Sequence, residues 1–382
     1  MEDIVHGASD ARFGKVRSML ADNIRSGVEV GASIAVDLHG EMVADLWGGY
    51  ADAGRARPWS ADTIVNVWSS TKTVTTLAAL MLVDRGDLDV FEPVATYWPE
   101  FAANGKEAVE VRHIMSHTSG VSGWDTPFSF EDMYDWEKST SLLAAQAPWW
   151  EPGTASGYHA SNMGHLIGEV VRRVSGKTLK EFVRTEIAEP LGADFQIGAL
   201  PRDDHRVAEI VPFKRRGFDL SLIPPGSPME KTFYGPEGNP NAANTLEWRR
   251  ADIGAGNGHG NARSMARILS AISLGGTVDG VRLLGPDTID LIFQEQANGV
   301  DLVLGVPLRW GIGYGLPQPE TVPSIPDEGR ICFWGGWGGS MIIMHPDRGL
   351  TISYMMNKMS DGTIISSAVA DTYITAIYEA LA

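Results

Sequence analysis

Three features are scarce in this 382-residue chain. It contains one cysteine, Cys332, and it has 31 lysines and arginines against 48 acidic residues. It also has no run of about 18 apolar residues, so the sequence predicts no membrane-spanning helix. A single cysteine excludes an intrachain disulfide and fits a reducing compartment. The net charge of -17 argues against a nucleic-acid surface, because such a surface needs cations to neutralise phosphates.

The first residues, MEDIVHGASDARFG, have neither the basic nor the apolar stretch of a signal peptide. We therefore expect a cytoplasmic protein without nucleic-acid or membrane partners. An acidic, globular chain that is 43% hydrophobic suits a small neutral or cationic ligand. The sequence predicts no cofactor and no metal site, and it leaves the oligomeric state open.

Strand patterns lie near both ends of the chain, and helical patterns fill the middle. This order predicts an α/β domain formed by residues 1–90 and 305–382, with an antiparallel sheet flanked by helices. Residues 91–304 are predicted to form an inserted, mainly helical domain. Within that insertion, residues 195–258 are rich in Pro, Gly and Asn and are expected to form long loops.

The stretch NVWSSTKTVTTLAALMLVDRG, residues 66–86, places hydroxyl side chains and a lysine before an apolar helix. Because the helix is apolar on nearly every face, we expect it to lie between other layers. Ser69 and Lys72 are one helical turn apart, so the lysine Nζ can reach the serine hydroxyl. Two interpretations are open at this point. Either Ser69, Ser70 or Thr71 caps the helix and Lys72 is solvated, or Ser69 is a nucleophile assisted by Lys72.

Two further segments offer the groups that such a nucleophile needs. A Pro-Gly turn precedes Tyr158, and a nearby lysine cation is expected to lower the pKa of its phenol until it can act as a base. The alternative is a packing tyrosine with its hydroxyl on a backbone carbonyl. The segment RICFWGGWGGS, residues 330–340, is a strand broken by glycines. Such a strand can bring backbone N–H groups close to a substrate, or it can simply form a bulge.

Together, these segments resemble the serine β-lactamase and penicillin-binding-protein superfamily. The resemblance rests on Ser69-Ser70-Thr71-Lys72, the PGTASGYHA segment around Tyr158, and WGGWGGS. It is greatest to the family VIII carboxylesterases, which share the class C β-lactamase fold, and the phrases IMSHTSGV, EPGT and VRRVSGKTL follow in the order typical of that group. The resemblance covers most of the chain but is poor over residues 195–258. It implies a β-lactamase/transpeptidase-like fold of the α/β plus all-α class.

The resemblance also implies a mechanism. Ser69 would attack an ester carbonyl, Lys72 and Tyr158 would shuttle the proton, and water would hydrolyse the acyl-enzyme. The oxyanion hole would consist of the backbone N–H groups of Ser69 and Trp337.

Two departures from the lactamase pattern bear on the substrate. Trp334-Gly335-Gly336, the predicted substrate-binding residues, stand where lactamases have Lys-Thr-Gly, and Ala160 stands where they usually have asparagine. Without the lysine cation, recognition of a β-lactam carboxylate should be weak, so neutral esters are favoured.

Tryptophans near the proposed cleft can line an apolar acyl or aromatic alcohol pocket, although each can also be core packing. We accordingly expect esters with short-chain acyl or aryl groups. The tryptophans concerned are Trp124, Trp149, Trp150, Trp248, Trp310, Trp334 and Trp337.

Other hydrolase patterns are weaker. The sequence has no Gly-x-Ser-x-Gly nucleophile elbow, and His259 is interpreted as a loop and helix-cap residue rather than as a base. Two alternatives to an esterase remain. One is an amide hydrolase with the same site, such as a β-lactamase or D-aminopeptidase, and the other is a catalytically silent binding protein of the same fold.

Overall fold

The computed structural model describes residues 4–214, 223–236, 238–362 and 365–382. The strands are β1 (Val5–Ser9), β2 (Gly31–Leu38), β3 (Glu41–Gly49), β4 (Val65–Asn66), β5 (Phe195–Ile197), β6 (Gly258–Gly260), β7 (Thr277–Val278), β8 (Val281–Arg282), β9 (Ala297–Val300), β10 (Pro307–Trp310), β11 (Gly315–Leu316), β12 (Cys332–Gly335), β13 (Met341–His345) and β14 (Leu350–Met356). The α-helices are α1 (Gly14–Ser26), α2 (Thr71–Asp84), α3 (Val94–Tyr97), α4 (Val111–Met115), α5 (Trp136–Ala145), α6 (Met163–Ser175), α7 (Leu179–Phe182), α8 (Glu189–Leu191), α9 (Pro228–Tyr234), α10 (Leu246–Arg250), α11 (Ala262–Ser273), α12 (Pro286–Ile292) and α13 (Ala368–Ala380).

A nine-stranded antiparallel sheet has the order β1-β3-β2-β14-β13-β12-β11-β10-β9. Strands from the two ends of the chain meet where β2 pairs with β14, as the sequence predicted. A two-residue hairpin joins β2 and β3. His39 and Gly40 both have positive φ, 54° and 85°, which is the backbone twist that a two-residue hairpin favours.

The predicted boundary at residue 304 falls within this sheet. β9 precedes that boundary yet pairs with β10, and α11 also precedes it yet packs on β2 and β14. Sequence reasoning assigned both elements to the helical insertion because helical patterns dominate that part of the chain. Strand pairing and helix packing assign them to the sheet, while the division into two domains stays a prediction.

The long loops predicted over residues 195–258 contain more regular structure than expected. β5, α9 and α10 lie in this stretch; its residues 215–222 and 237 lie outside the described part of the chain.

Helix α2 is buried at every residue from Thr71 to Leu82, as predicted, and it packs against α6 and α11. It carries the lysine of the proposed site into the interior. Among the described residues, no helix has the length and apolar character needed to cross a bilayer.

Candidate active site

Ser69 lies in a 3-10 turn, Trp68–Ser70, between β4 and α2. Trp68 has a φ of 49°, a left-handed conformation that is uncommon for a bulky residue. The turn is held by the Thr71 hydroxyl, which donates to the Trp68 carbonyl at 2.5 Å and accepts from the Gly258 N–H at 2.8 Å. Ser69 is the one residue between Thr63 and Leu82 that is not buried, so this turn presents its hydroxyl to the adjacent cleft.

The capping interpretation of this segment is wrong. No side chain caps α2. The Ser70 hydroxyl instead lies 3.0 Å from that of Ser340, and Lys72 is only 2% exposed. Lys72 is therefore a buried group beside the Ser69 hydroxyl rather than a solvated residue of the first turn.

Three oxygen atoms surround the Lys72 Nζ. The Ser69 Oγ lies at 3.0 Å, the Ala160 carbonyl at 2.8 Å and the Ala255 carbonyl at 2.7 Å. Burial lowers the pKa of the Lys72 ammonium well below its usual value. A neutral amine has two N–H donors and one lone pair. Since the two carbonyls can only accept, they take both N–H bonds, and the lone pair is then directed at the Ser69 hydroxyl.

The Tyr158 side chain also lies beside Lys72. It accepts a hydrogen bond from the Trp334 indole N–H at 2.9 Å, and the Lys72 Nζ is 4.9 Å from the centre of its ring. Burial raises the pKa of the Tyr158 phenol, and hydrogen bonds with Ser69 and Trp334 offset only part of that effect. The expected lowering of this pKa is wrong, because burial depletes the cationic form of the lysine that was to cause it. A neutral phenol next to Ser69 is suited to donate or relay a proton.

Asp301 fixes the position of Tyr158. Its fully buried carboxylate accepts from the Tyr158 backbone N–H at 3.0 Å and from the Ser156 hydroxyl at 2.9 Å. It also accepts from the N–H groups of Val303 and Leu304 at 3.0 and 2.9 Å. One carboxylate thus ties the tyrosine loop to the loop that follows β9.

The glycines after β12 allow the backbone to approach the nucleophile turn. A Cβ on Gly336 would lie 2.4 Å from the Val67 carbonyl and 2.2 Å from the Ser340 hydroxyl, so only glycine fits there. The next residue, Trp337, has no acceptor for its N–H within the described part of the chain. Ser69 lies in the opening turn ahead of α2, where backbone N–H groups lack intrahelical partners. Both N–H groups are thus available for a substrate oxygen.

A cavity of about 160 Å³ lies over these groups. Ser69, Tyr158, the predicted substrate-binding residues Trp334, Gly335 and Gly336, and the predicted oxyanion residue Trp337 all line it. No Asp, Glu, Lys, Arg or His is among the described residues of its wall. The cavity therefore favours an uncharged ligand.

The remaining five tryptophans named in the sequence analysis differ in their position relative to the cavity. Trp248 lines the cavity, whereas Trp310 packs behind Tyr158 and Trp334. Trp124, Trp149 and Trp150 are not part of the described wall. His259 pairs with Asn66 in a short sheet and is also absent from that wall.

The family model described as Beta-lactamase matches residues 20–371. The chain belongs to the Beta-lactamase family. It is 34% identical to the Esterase/beta-lactamase LipL of Mycobacterium tuberculosis over 366 residues, which are 93% of this chain and 83% of that protein. It is 29% identical to the Esterase EstB of Burkholderia gladioli over 369 residues, 87% of each chain.

A crystal structure of a family VIII carboxylesterase superposes with a TM-score of 0.91 at 38% identity, covering 98% of this chain and 99% of that one. These similarities confirm the predicted β-lactamase-like fold and the resemblance to family VIII carboxylesterases.

Sequence reasoning missed three residues that shape the site of this Beta-lactamase family member. Asp301 is a lone acid in the apolar run GVDLVLGV, and that isolation is the signal that could have found it. Trp68, directly before the nucleophile, carried no local signal of its left-handed backbone. Phe130 lines the cavity from the segment before α5, and only the folded chain brings it there.

Proposed function

We propose that the protein is a serine carboxylesterase that hydrolyses short-chain acyl or aryl esters through an acyl-enzyme on Ser69. The observation that carries this proposal is the Ser69 hydroxyl beside a buried amine, at the floor of a cavity without charged side chains among its described residues. The similarity to proteins named as esterases supports the same reaction class.

In the first step, the neutral Lys72 amine accepts the Ser69 proton while the Oγ bonds to the ester carbonyl carbon. The carbonyl oxygen becomes an oxyanion, which the N–H groups of Ser69 and Trp337 stabilise. Losing one such donor typically costs about 3 kcal/mol of transition-state stabilisation. The bond to the leaving alcohol then breaks. The alcohol oxygen takes a proton from the Tyr158 hydroxyl, which regains one from the Lys72 ammonium.

In the second step, water attacks the acyl carbon and Lys72 accepts its proton. The bond between the acyl group and the Ser69 Oγ breaks, and that proton returns to the Oγ. These steps use side chains and backbone alone, so the proposal needs no cofactor.

The uncharged wall also bears on the amide-hydrolase alternative. A β-lactam or a D-alanyl peptide carries a carboxylate, and Trp334 offers an indole N–H where the related lactamases hold a cation. That N–H donates to Tyr158 instead. A desolvated carboxylate without a charged partner is costly, so neutral esters are the proposed substrates. The buried single cysteine, Cys332, keeps the cytoplasm as the proposed compartment.

The test compares turnover of p-nitrophenyl acetate, a chromogenic β-lactam and a D-alanyl peptide by the wild type, Ser69→Ala and Ser70→Ala. Ser70 is a matched control, because it is adjacent but buried and bonded to Ser340. We expect ester turnover to dominate, to fall at least about one hundredfold in Ser69→Ala and to persist in Ser70→Ala.

Lactam or peptide turnover equal to ester turnover would support the amide-hydrolase alternative. An inactive wild type that a serine-directed phosphonate fails to label would instead support a silent binding protein.

A further inference from the structure

A row of aromatic rings runs along the proposed catalytic serine. Phe130 stacks on Trp248 with ring centres 5.7 Å apart, and Trp248 lies 5.6 Å from Trp68. Trp68 meets Trp337 edge to face at 5.1 Å, and Trp337 lies 5.3 Å from Phe213. The first four of these rings line the cavity. A ligand in the cavity therefore faces consecutive aromatic surfaces.

The row is fixed in place relative to the reacting atoms. Trp68 directly precedes Ser69, and Trp337 supplies the proposed oxyanion N–H, so two of the rings belong to residues at the chemical centre. The Trp248 indole N–H donates to the Asn66 side chain at 2.8 Å, and the Asn66 amide donates to the Gly256 carbonyl at 3.2 Å. The backbone thus places Trp68 and Trp337, and a hydrogen bond holds Trp248, before a substrate arrives.

The cavity has room for about one ring. Its volume of about 160 Å³ is close to that of an engineered apolar protein cavity of about 150 Å³ that binds benzene. Aromatic rings gain from offset or edge-to-face contact with other rings beyond the area they bury, because their electrostatic quadrupoles are complementary. A saturated ring of the same carbon count buries as much surface without that gain.

We propose that the preferred substrates of this site are neutral esters with a single aromatic ring close to the ester bond. This specificity rests on the proposed esterase function. The row Phe130, Trp248, Trp68 and Trp337 recognises the ring.

The experiment compares kcat/KM for two matched ester pairs. Benzyl acetate and cyclohexylmethyl acetate carry the ring on the alcohol, and methyl phenylacetate and methyl cyclohexylacetate carry it on the acyl group. The members of each pair have equal carbon counts. Because phenyl is more electron-withdrawing than cyclohexyl, each kcat/KM ratio is divided by the ratio of the two uncatalysed alkaline hydrolysis rates. The saturated member is the more hydrophobic, so simple apolar burial would favour it.

We expect the aromatic member of at least one pair to be preferred by about threefold to tenfold. The pair with the larger ratio identifies the side of the ester that contacts the row. Trp248→Leu and Phe130→Leu should each bring that ratio towards one, while Trp248→Phe, which keeps a ring, should retain most of it. Trp47→Leu removes a tryptophan of β3 outside the described cavity wall and should leave the ratio unchanged.

Equal or better turnover of the saturated esters in both pairs would overturn the aromatic specificity and leave the esterase proposal standing. An unchanged ratio in folded Trp248→Leu and Phe130→Leu would also overturn the role of the row. If the wild type hydrolyses none of the four esters and no p-nitrophenyl acetate, the esterase function itself fails and the specificity with it.

Discussion

Two buried lysines, Lys72 and Lys106, have similar surroundings and different partners. The Lys106 Nζ donates to the backbone carbonyls of Ala103, Ala144 and Gln146. The Lys72 Nζ contacts two carbonyls and the hydroxyl of Ser69. Burial lowers the pKa of both, to about 8 for Lys106 and well below the usual value for Lys72.

The difference lies in what the third partner can do. A carbonyl oxygen only accepts, so the three carbonyls around Lys106 satisfy an ammonium and would leave the lone pair of an amine unmatched. A hydroxyl both donates and accepts. Lys72 can therefore lose its proton and keep three hydrogen bonds. Burial alone is enough to lower a lysine pKa. Lys72 can also act as the proposed base because a hydroxyl donor, that of Ser69, lies beside its lone pair.

The largest expected effect separates the two lysines directly. Lys72→Met should lower kcat/KM for p-nitrophenyl acetate by at least about one hundredfold, because the nucleophile loses its base. Lys106→Met should keep activity within about twofold per folded molecule. It should reduce the free energy of unfolding by about 1–3 kcal/mol, because buried carbonyls lose their donor. Steady-state kinetics and urea unfolding of both variants measure these effects.

An active Lys72→Met would contradict the proposal that Lys72, unlike Lys106, is the base. So would a folded Lys106→Met with a hundredfold loss of activity.

The pH dependence of kcat/KM should reflect Lys72 and not Lys106. Protonating Lys72 removes the lone pair, so kcat/KM should fall as the pH decreases through the lowered pKa of this lysine. Buried histidines near Tyr158 should not cause this decrease, because burial lowers the pKa of His159 to about 3 and that of His117 well below its usual value. The measurement is a pH profile of kcat/KM for the wild type and Lys106→Met. Both should show the acidic decrease, and a flat acidic region in the wild type would contradict the role of Lys72.

Replacing Asp301 should have a smaller effect on the activity of the same site. Asp301→Asn should lower kcat about tenfold with KM little changed, because a displaced Tyr158 still permits binding but delivers protons less well. Ser156→Ala is the control, since it removes one hydrogen bond to Asp301 and keeps the one from the Tyr158 N–H. We expect it to lose less activity. An unchanged kcat in Asp301→Asn would show that the carboxylate does not position the tyrosine.

The local part of this site was predictable from the sequence, and the remote part was not. Ser69 and Lys72 are one turn apart, so helix geometry alone brings them together. The hydrogen bond between Trp334 and Tyr158 spans 176 positions, and it was not foreseen even though resemblance suggested both residues. Asp301 belongs to no motif. Nothing in the sequence around Lys106 distinguishes it from a surface lysine.

Most of the fold followed from the order of strand and helix patterns along the chain. The exceptions were β9 and α11, where local pattern does not say which layer an element packs on, and β5, α9 and α10, which lie where long loops were predicted. The direction of the Tyr158 pKa shift was also wrong, because burial can be judged only once the chain is folded.

A buried acid tests the premise that burial controls these protonation states. Glu29 accepts from the Tyr354 hydroxyl at 2.6 Å, and burial raises its pKa from 4.5 to about 7. The folded protein therefore holds this proton more tightly than the unfolded chain, so raising the pH through this window should cost stability, by up to about 3 kcal/mol. Glu29→Gln should lack this loss and leave activity unchanged.

Urea unfolding of the wild type and Glu29→Gln at about pH 5 and about pH 8 measures this difference. Their stabilities should diverge as the pH rises. A constant difference would argue against burial as the dominant cause. Asp37 and Asp252 also have raised pKa values, about 6 each, but they are present in both proteins and cancel.

Intact-mass measurement of covalent labelling shows which hydroxyl reacts and whether Lys72 activates it. The wild type, Lys72→Met and Lys106→Met are each treated with a fluorophosphonate, and the labelled residue is identified by peptide mapping. We predict one adduct, on Ser69, formed at similar rates in the wild type and Lys106→Met and at least about one hundredfold more slowly in Lys72→Met. Labelling at another residue, or equal rates in all three proteins, would contradict the account.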